Sequence, residues 1–324
     1  MALLITGAMG HVGLELTAQA VAAGHKIVAQ YRSTFRETEA AALGDRVAWV
    51  RCDLADPFEV ADLAGRHDVD GCIHTAAVPN DRYARPDPRA AFHSNVTATE
   101  NLLELARRNA WRRFLYVSTG SVFQRLTDFR TPVPEDAGTS AYTVYGATKR
   151  CGELLTTMHR EEYGMPAASV RISWVYGPPM VPPVREPPRG PIPAFLREAL
   201  AGEPIAEASG GDFAASFTHV GDVATGLLAA YDADRLNHDI YHLGSGRNYD
   251  TFRVAEAVRA AVPGAAIEVG PGTEPWTTYN TMRGPLAGTR LLDDAGFRPA
   301  YDLEAGIQAF ADWMRAHPET YGQG

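Results

Sequence analysis

Tyr145 and Lys149 stand four residues apart in Tyr145-Gly-Ala-Thr-Lys149, near the start of a helical pattern. That spacing sets both side chains on one helix face, a turn apart. A tyrosine with an unperturbed pKa near 10 is a poor base at neutral pH. Bringing it to about 7 takes roughly 4 kcal/mol of preferential stabilisation of the phenolate, which a nearby ammonium helps supply. The pair therefore points to proton exchange with a substrate oxygen. Lys26 and Lys149 are the only two lysines, against 28 arginines, so a Y-x-x-x-K arises by chance in roughly 8% of chains of this composition. A lysine in a chain that otherwise uses arginine indicates a need for a compact ammonium. The alternative is an accidental surface pair.

A second constellation lies near residue 1. Gly7-Ala8-Met9-Gly10-His11-Val12-Gly13 follows directly on the first apolar run. Glycines at such a turn let the backbone approach a pyrophosphate, whose charge then sits at a helix N-terminus. With 30 glycines, a G-x-x-G-x-x-G arises by chance roughly one time in four, so its place between a strand and an amphipathic helix gives it its meaning. A purely structural tight turn is the alternative. Ser118-Thr119-Gly120-Ser121 closes the fifth apolar run, at the strand end where open α/β sheets bind ligands. A hydroxyl there can hold a substrate oxygen beside Tyr145. Without the other two motifs, these would read as loop hydroxyls capping backbone.

Chemistry of this kind needs a parallel sheet to bring the three motifs to one edge. Short apolar runs at Leu3–Thr6, Lys26–Gln30, Val47–Arg51, Gly71–Thr75, Arg113–Ser118, Ala168–Trp174 and Asp239–Leu243 read as strands. Helical periods fall at 11–23, 57–66, 88–109 and 142–163, with a weaker one at 36–43. This alternation indicates βαβ units and a sheet covered on both faces. From Pro178 to Pro193 eight of sixteen residues are proline, which no helix interior or central strand tolerates. That stretch is either a rigid connector or a wall of the substrate pocket. Helical patterns return at 191–201, 221–232, 251–262 and 303–316 among shorter, scattered strands.

The expected architecture is α/β, a Rossmann-type doubly wound parallel sheet with a smaller mixed C-terminal part. Residues 1–174 form the dinucleotide-binding domain, to which 216–245 return. Residues 175–215 and 246–324 form the substrate-binding part. A chain of 324 residues has a prior of about two domains. The net charge of −9 argues against nucleic acid as a partner, since no basic stripe is available. Cys52, Cys72 and Cys151 are widely spaced and odd in number, and read as buried thiols in a reducing compartment. The first strand leaves no room for a signal peptide, and no apolar run approaches the ~20 residues of a membrane span. A cytoplasmic protein that is not membrane-bound is expected. No metal site is expected: His238 and His242 flank a strand, and His219 reads as a structural hydrogen-bonding residue.

Together these residues resemble the extended short-chain dehydrogenase/reductase superfamily, also called the NAD-dependent epimerase/dehydratase family, over nearly the whole chain. Further matches are Asp53-Leu54, His74-Thr-Ala-Ala77, Asn95-Val96, Arg171 through Val175-Tyr176-Gly177-Pro178, Phe217-Thr218-His219-Val220 with Asp222-Val223, and Gly296-Phe297-Arg298-Pro299. The resemblance implies Tyr145 as general acid/base and Lys149 as the cation that lowers its pKa and holds the nicotinamide ribose. It implies Thr119 as the hydroxyl sharing the substrate oxygen, counted back from Val122-Phe123. Cofactor contacts are implied at Gly7, Met9, Gly10, His11, Val12, Gly13, Tyr31, Arg32, Ser33, Asp53, Leu54, Thr75, Ala76, Ala77, Asn95 and Ser173. Substrate contacts are implied at Val78, Thr119, Ser121, Tyr145 and Trp174. Family members often dimerise through the helices near 95–109 and 142–163, so a homodimer is expected.

Three departures refine this. Trp174 stands where nucleotide-sugar enzymes commonly carry Asn, and Ala215 where they often carry Arg, which favours a smaller polyol, sugar acid, lactone or other alcohol/ketone. The second strand ends in Tyr31-Arg32-Ser33 rather than an acidic residue. A guanidinium and a hydroxyl suit a 2′-phosphate, favouring NADP over NAD. The leading expectation is an NAD(P)-dependent oxidoreductase transferring hydride between nicotinamide and a secondary alcohol or ketone. The alternative is a redox-neutral epimerase with tightly bound NAD. A dehydratase is disfavoured, since Gly120-Ser121 replaces the usual acidic pair. A non-catalytic dinucleotide sensor comes last, because Tyr145 and Lys149 are both present.

Overall fold

The computed structural model describes residues 1–126, 128–179 and 190–320. Its first half runs β1 (Ala2–Thr6), α1 (His11–Ala22), β2 (Ile27–Tyr31), α2 (Glu37–Leu43), β3 (Val47–Arg51), α3 (Pro57–Arg66) and β4 (Val69–His74). It continues through α4 (Asp81–Ala84), α5 (Pro88–Phe92), α6 (Ala98–Arg108), β5 (Arg113–Thr119), α7 (Val144–Tyr163) and β6 (Ala167–Ile172). These strands and Ile240–Leu243 form one seven-stranded sheet in the order Ile240–Leu243, β6, β5, β4, β1, β2, β3. Every pairing in it is parallel. The order reverses between β1 and β4, and at such a switch point the loops at the C-terminal strand ends part to leave a crevice.

Alternating side chains commit each strand to both faces, as a parallel sheet requires. Leu3, Ile5, Leu115 and Val117 pack under α1 and the helix Val220–Asp232, against Leu16, Val223 and Leu227. Leu4, Val28, Cys72 and Phe114 pack on the opposite face against Leu63, Leu102 and Leu103 of α3 and α6. A separate core of Ile192, Phe195, Phe213, Val254, Val258, Ile307 and Phe310 joins helices Pro191–Ala201, Thr251–Ala261 and Leu303–Ala316. Local signals set the helix starts. Asp56 accepts hydrogen bonds from Phe58 N and Glu59 N ahead of a proline at the first turn of α3, and Thr143 accepts from Gly146 N at α7.

The structure corrects the sequence reading in several places. The expected single helix over 88–109 is divided: α5 and α6 are separated by a π-helical turn, His93–Thr97. Such a turn adds a residue to the spiral and re-aims the side chains on it, here including Asn95. The strand expected to reach Trp174 ends at Ile172, and Trp174 takes a positive φ of 38°. Val175–Tyr176 then pairs with Thr218–His219 instead of extending the sheet. The helix Arg290–Ala295 carries too short a period to be found in sequence. Cys52 and Cys72 are buried as expected, whereas Cys151 is only half-buried. Of the proline-rich stretch, residues 180–189 lie outside the described residues.

Candidate active site

The glycine turn comes first because its backbone shapes the crevice. Gly7 has φ +62°, and a Cβ there would lie 2.8 Å from Ala76 Cα, so only glycine lets the β1 turn meet the segment after β4. Gly7 N donates to Gln30 Oε1 at 2.9 Å, and Gln30 Nε2 donates to Cys52 O at 2.5 Å, tying the turn to β2 and β3. Helix α1 begins after Gly10 with no side-chain cap, leaving its first N–H groups for a ligand. These features fit a dinucleotide pyrophosphate. Met9 is buried, Val12 and Gly13 form the first turn of α1, and the His11 ring pairs with Gly177 O at 2.7 Å. His11 therefore links the turn to the strand after β6 by its side chain.

Under this turn His74 bridges Thr6 Oγ1 (2.7 Å) and Thr99 Oγ1 (3.0 Å). Burial, then the Lys149 charge, pulls its pKa down to about 3, so it is a neutral structural link. Thr75 Oγ1 donates to Thr6 O at 2.6 Å and Ala76 N donates to Thr6 Oγ1 at 3.2 Å. The Thr75 hydroxyl thus braces backbone. Asn95 Oδ1 accepts from Val78 N at 2.7 Å, while its Nδ2 donates to Thr148 Oγ1 at 3.0 Å. The Asn95 side chain thereby clamps the Ala77–Val78 backbone to α7. At the other end of the crevice Arg32 Nη1 donates to Ser94 Oγ at 2.9 Å, and Arg51 Nε donates to Arg32 O at 3.2 Å. Tyr31 lies 4.8 Å from the Phe35 ring and Ser33 is exposed. Asp53 Oδ1 accepts from Ala55 N at 3.0 Å beside buried Leu54.

The start of α7, which carries Tyr145 and Lys149, packs against β5 and the turn that follows Thr119 at its C-terminal end. A Cβ on Gly146 would lie 2.7 Å from Ser121 O, so the first turn of α7 rests directly on the turn that follows Thr119. Tyr145 N donates to Asp81 Oδ1 at 3.0 Å, which anchors that helix start to α4. Thr119 Oγ1 accepts from Ser121 N at 3.1 Å, retaining its own proton for a further acceptor. Ser118, by contrast, donates to Glu153 Oε1 at 2.7 Å and is committed to the core. Lys149 is 2% exposed, with Nζ 4.1 Å from the Tyr116 ring centroid. Burial lowers its pKa to about 7, opposed by the charge of Glu153.

Glu153 organises the floor of this site. Fully buried, it accepts from Arg171 Nε at 2.7 Å and Nη2 at 3.0 Å, and from Arg150 Nη1 at 2.8 Å. Arg171 also donates to Glu135 O at 3.3 Å and meets His242 Nε2 at 3.2 Å. Burial and the Arg171 charge hold His242 near a pKa of about 3, so its Nε2 accepts that bond as a neutral ring while Nδ1 donates to Ala287 O.

On the substrate side, Ser121 is buried in the turn after Thr119, while Ser173 is buried just before Trp174. The Trp174 ring lies 5.0 Å from Phe213 and 6.0 Å from Phe217. One residue here escaped the sequence reading. Arg283 is 8% exposed, and a Cβ on Gly120 would lie 2.8 Å from its Nε. Burial lowers its pKa to about 10, opposed by Tyr145 and Asp81. No local signal marks it, because a bridge between Val133 and Leu286 delivers it from far along the chain. Among the described residues no group of His, Cys, Asp and Glu could hold a metal, and no helix is long and apolar enough to cross a membrane.

The sequence pattern of the NAD dependent epimerase/dehydratase family matches residues 3–244. The chain belongs to that family. A dTDP-glucose 4,6-dehydratase of Actinoplanes sp. is 27% identical over 98% of this chain and 98% of its own. The UDP-glucose 4-epimerase of Thermotoga maritima, solved with UDP-glucose, shares the fold at a TM-score of 0.86 and 20% identity, covering 98% of this chain and 100% of that one. The Thermus thermophilus UDP-glucose 4-epimerase, solved with NAD, gives 0.82 at 23% identity, with 97% and 99% covered. This epimerase/dehydratase-family member is an enzyme of the extended short-chain dehydrogenase/reductase type with a Rossmann-like sheet.

Proposed function

We propose that this enzyme moves hydride between a nicotinamide dinucleotide, NADP in preference to NAD, and a secondary alcohol or ketone of a small sugar-like substrate. The observation that carries the reading is the buried Lys149, one turn from Tyr145 on α7 and against Tyr116 of β5, the strand that ends at Thr119. Gly7, Gly10 and Gly13 would hold the pyrophosphate, and Lys149 the nicotinamide ribose. The nicotinamide, when bound, takes up or returns the hydride of the carbinol carbon. In the oxidising direction the Tyr145 phenolate accepts the hydroxyl proton, Thr119 donates a hydrogen bond to the same oxygen, and the Lys149 ammonium stabilises the phenolate. The Trp174 ring, packed against Phe213 and Phe217, would narrow the substrate side, which favours a compact substrate. We retain 1–174 with 216–245 as the dinucleotide-binding domain and the remainder as the substrate-binding part. Exposed Leu154 and Met158, one turn apart on α7, would supply apolar surface for a homodimer.

The names of the relatives favour a second reading, redox-neutral epimerisation with retained NAD. Denaturing the purified enzyme and assaying the released dinucleotide, then following nicotinamide absorbance with small sugars, sugar acids and ketones, separates the two. Net absorbance change with freely exchanging cofactor supports oxidoreduction; retained cofactor with product but no absorbance change overturns it.

Two substitutions test the parts. Thr119→Val is expected to lower turnover roughly tenfold to a hundredfold, with Ser121→Ala within a few-fold. Thr119→Ser, which keeps both the hydroxyl and the turn cap, should recover most of the loss. A larger loss in Ser121→Ala would reverse the assignment. Arg32 and Arg51 stand together at the ends of β2 and β3, where the 2′-phosphate would lie. Arg32→Ala should weaken NADP(H) by about tenfold to a hundredfold, the loss of one charge-assisted bond, and leave NAD(H) within a few-fold. Equal losses would indicate stacking on adenine, and a wild type preferring NAD tenfold would refute the cofactor choice.

A further inference from the structure

We propose that Arg283 is a substrate-recognition residue whose guanidinium binds a carboxylate carried by the substrate beside the carbon that Tyr145 serves. The inference rests on the reading of Thr119, Tyr145 and Lys149 given above, and names the chemical class of substrate.

Four observations carry it. First, Arg283 is 92% buried, yet its Nε has no hydrogen-bond partner, and Nη1 reaches only Thr281 O at 3.4 Å. An arginine remains charged at neutral pH, and a buried donor without an acceptor is costly unless a ligand supplies one. Second, no carboxylate among the described residues forms an ion pair with it. Asp81, the nearby acid, is engaged by Tyr145 N at 3.0 Å and Gln124 Nε2 at 3.4 Å. Third, its Nε packs against Gly120, the residue after Thr119, where an added Cβ would come within 2.8 Å of it. The guanidinium therefore lies against the turn that begins at Thr119, whose hydroxyl is assigned to the substrate oxygen above. Fourth, its backbone is held in place independently of the side chain. Asn248 Nδ2 donates to Arg283 O at 2.7 Å, and Val133 N donates to Pro285 O at 2.8 Å. The rigid fork of Nε–H and Nη–H matches the two oxygens of a carboxylate, and binding one would satisfy the orphaned donor and the buried charge together.

The test uses wild-type enzyme loaded with dinucleotide, titrated with D-glucuronate and D-galacturonate and with their neutral counterparts D-glucose and D-galactose. Each pair differs only in the carboxylate. At least one uronate should bind about tenfold to a hundredfold more tightly than its neutral partner. Arg283→Met, which keeps an apolar stem at the buried position, should erase that difference, and Arg283→Lys should retain part of it. The dinucleotide dissociation constant should be unchanged in both variants, which verifies that they are folded. Equal binding of acid and neutral sugar by wild type, undetectable binding of all four, or a preference that survives in Arg283→Met overturns the proposal. Because the readout is binding, it is independent of the turnover loss that tests Tyr145, so either reading can fail without the other.

Discussion

Tyr145→Phe is expected to lower turnover by about 10² to 10⁴-fold, the usual contribution of a general acid/base, while leaving fold and dinucleotide affinity nearly unchanged. The substitution removes one oxygen and keeps the ring, and the helix start stays anchored because the bond to Asp81 uses the Tyr145 backbone N–H. Without the phenol, the substrate hydroxyl loses the oxygen placed to take its proton. Steady-state rates and a dinucleotide titration on the same preparation check both halves. Near-normal turnover in Tyr145→Phe would remove the basis of the proposed mechanism.

Glu153→Ala should cost about 3–5 kcal/mol of stability, the range for breaking a buried ion pair from one side. Three groups lose their acceptor together: Arg171, which is 2% exposed, Arg150 and the Ser118 hydroxyl. Arg171 bears the largest share, because its charge cannot reach water. Urea titrations should show a lower midpoint with an unchanged slope. The milder Glu153→Gln carries a second consequence for activity. Burial pulls the Lys149 pKa down to about 7, and the Glu153 charge is what opposes it. Removing that charge lowers the Lys149 pKa further, so the residual activity should have its optimum at lower pH than wild type. An optimum that stays put or moves upward would show that Glu153 does not support the ammonium.

Much of the architecture was legible in the residues themselves. Seven short apolar runs alternating with amphipathic periods determine a parallel sheet, because every strand buried on both faces needs a crossover of helical length. The glycine turn and Tyr145/Lys149 are local patterns, and Gly7 needs its positive φ whatever surrounds it. Thr119 could be separated from Ser118 by motif register, and the structure adds the reason that Ser118 is taken by Glu153.

What the sequence could not settle depended on contacts between distant segments. Asn95 lies within an unbroken helical period, but the π turn that points it at Val78 is held by bonds to Val78 and Thr148. Ser173-Trp174 continues an apolar run, yet the strand stops at Ile172 because Val175–Tyr176 pairs with Thr218–His219 instead. Arg283 belongs to no motif, and only the bridge at Val133 and Leu286 sets it above Gly120. Periodicity and turn chemistry act over a few residues and are therefore written locally. Burial of a charge, and the partner it lacks, exist only once the chain has closed on itself.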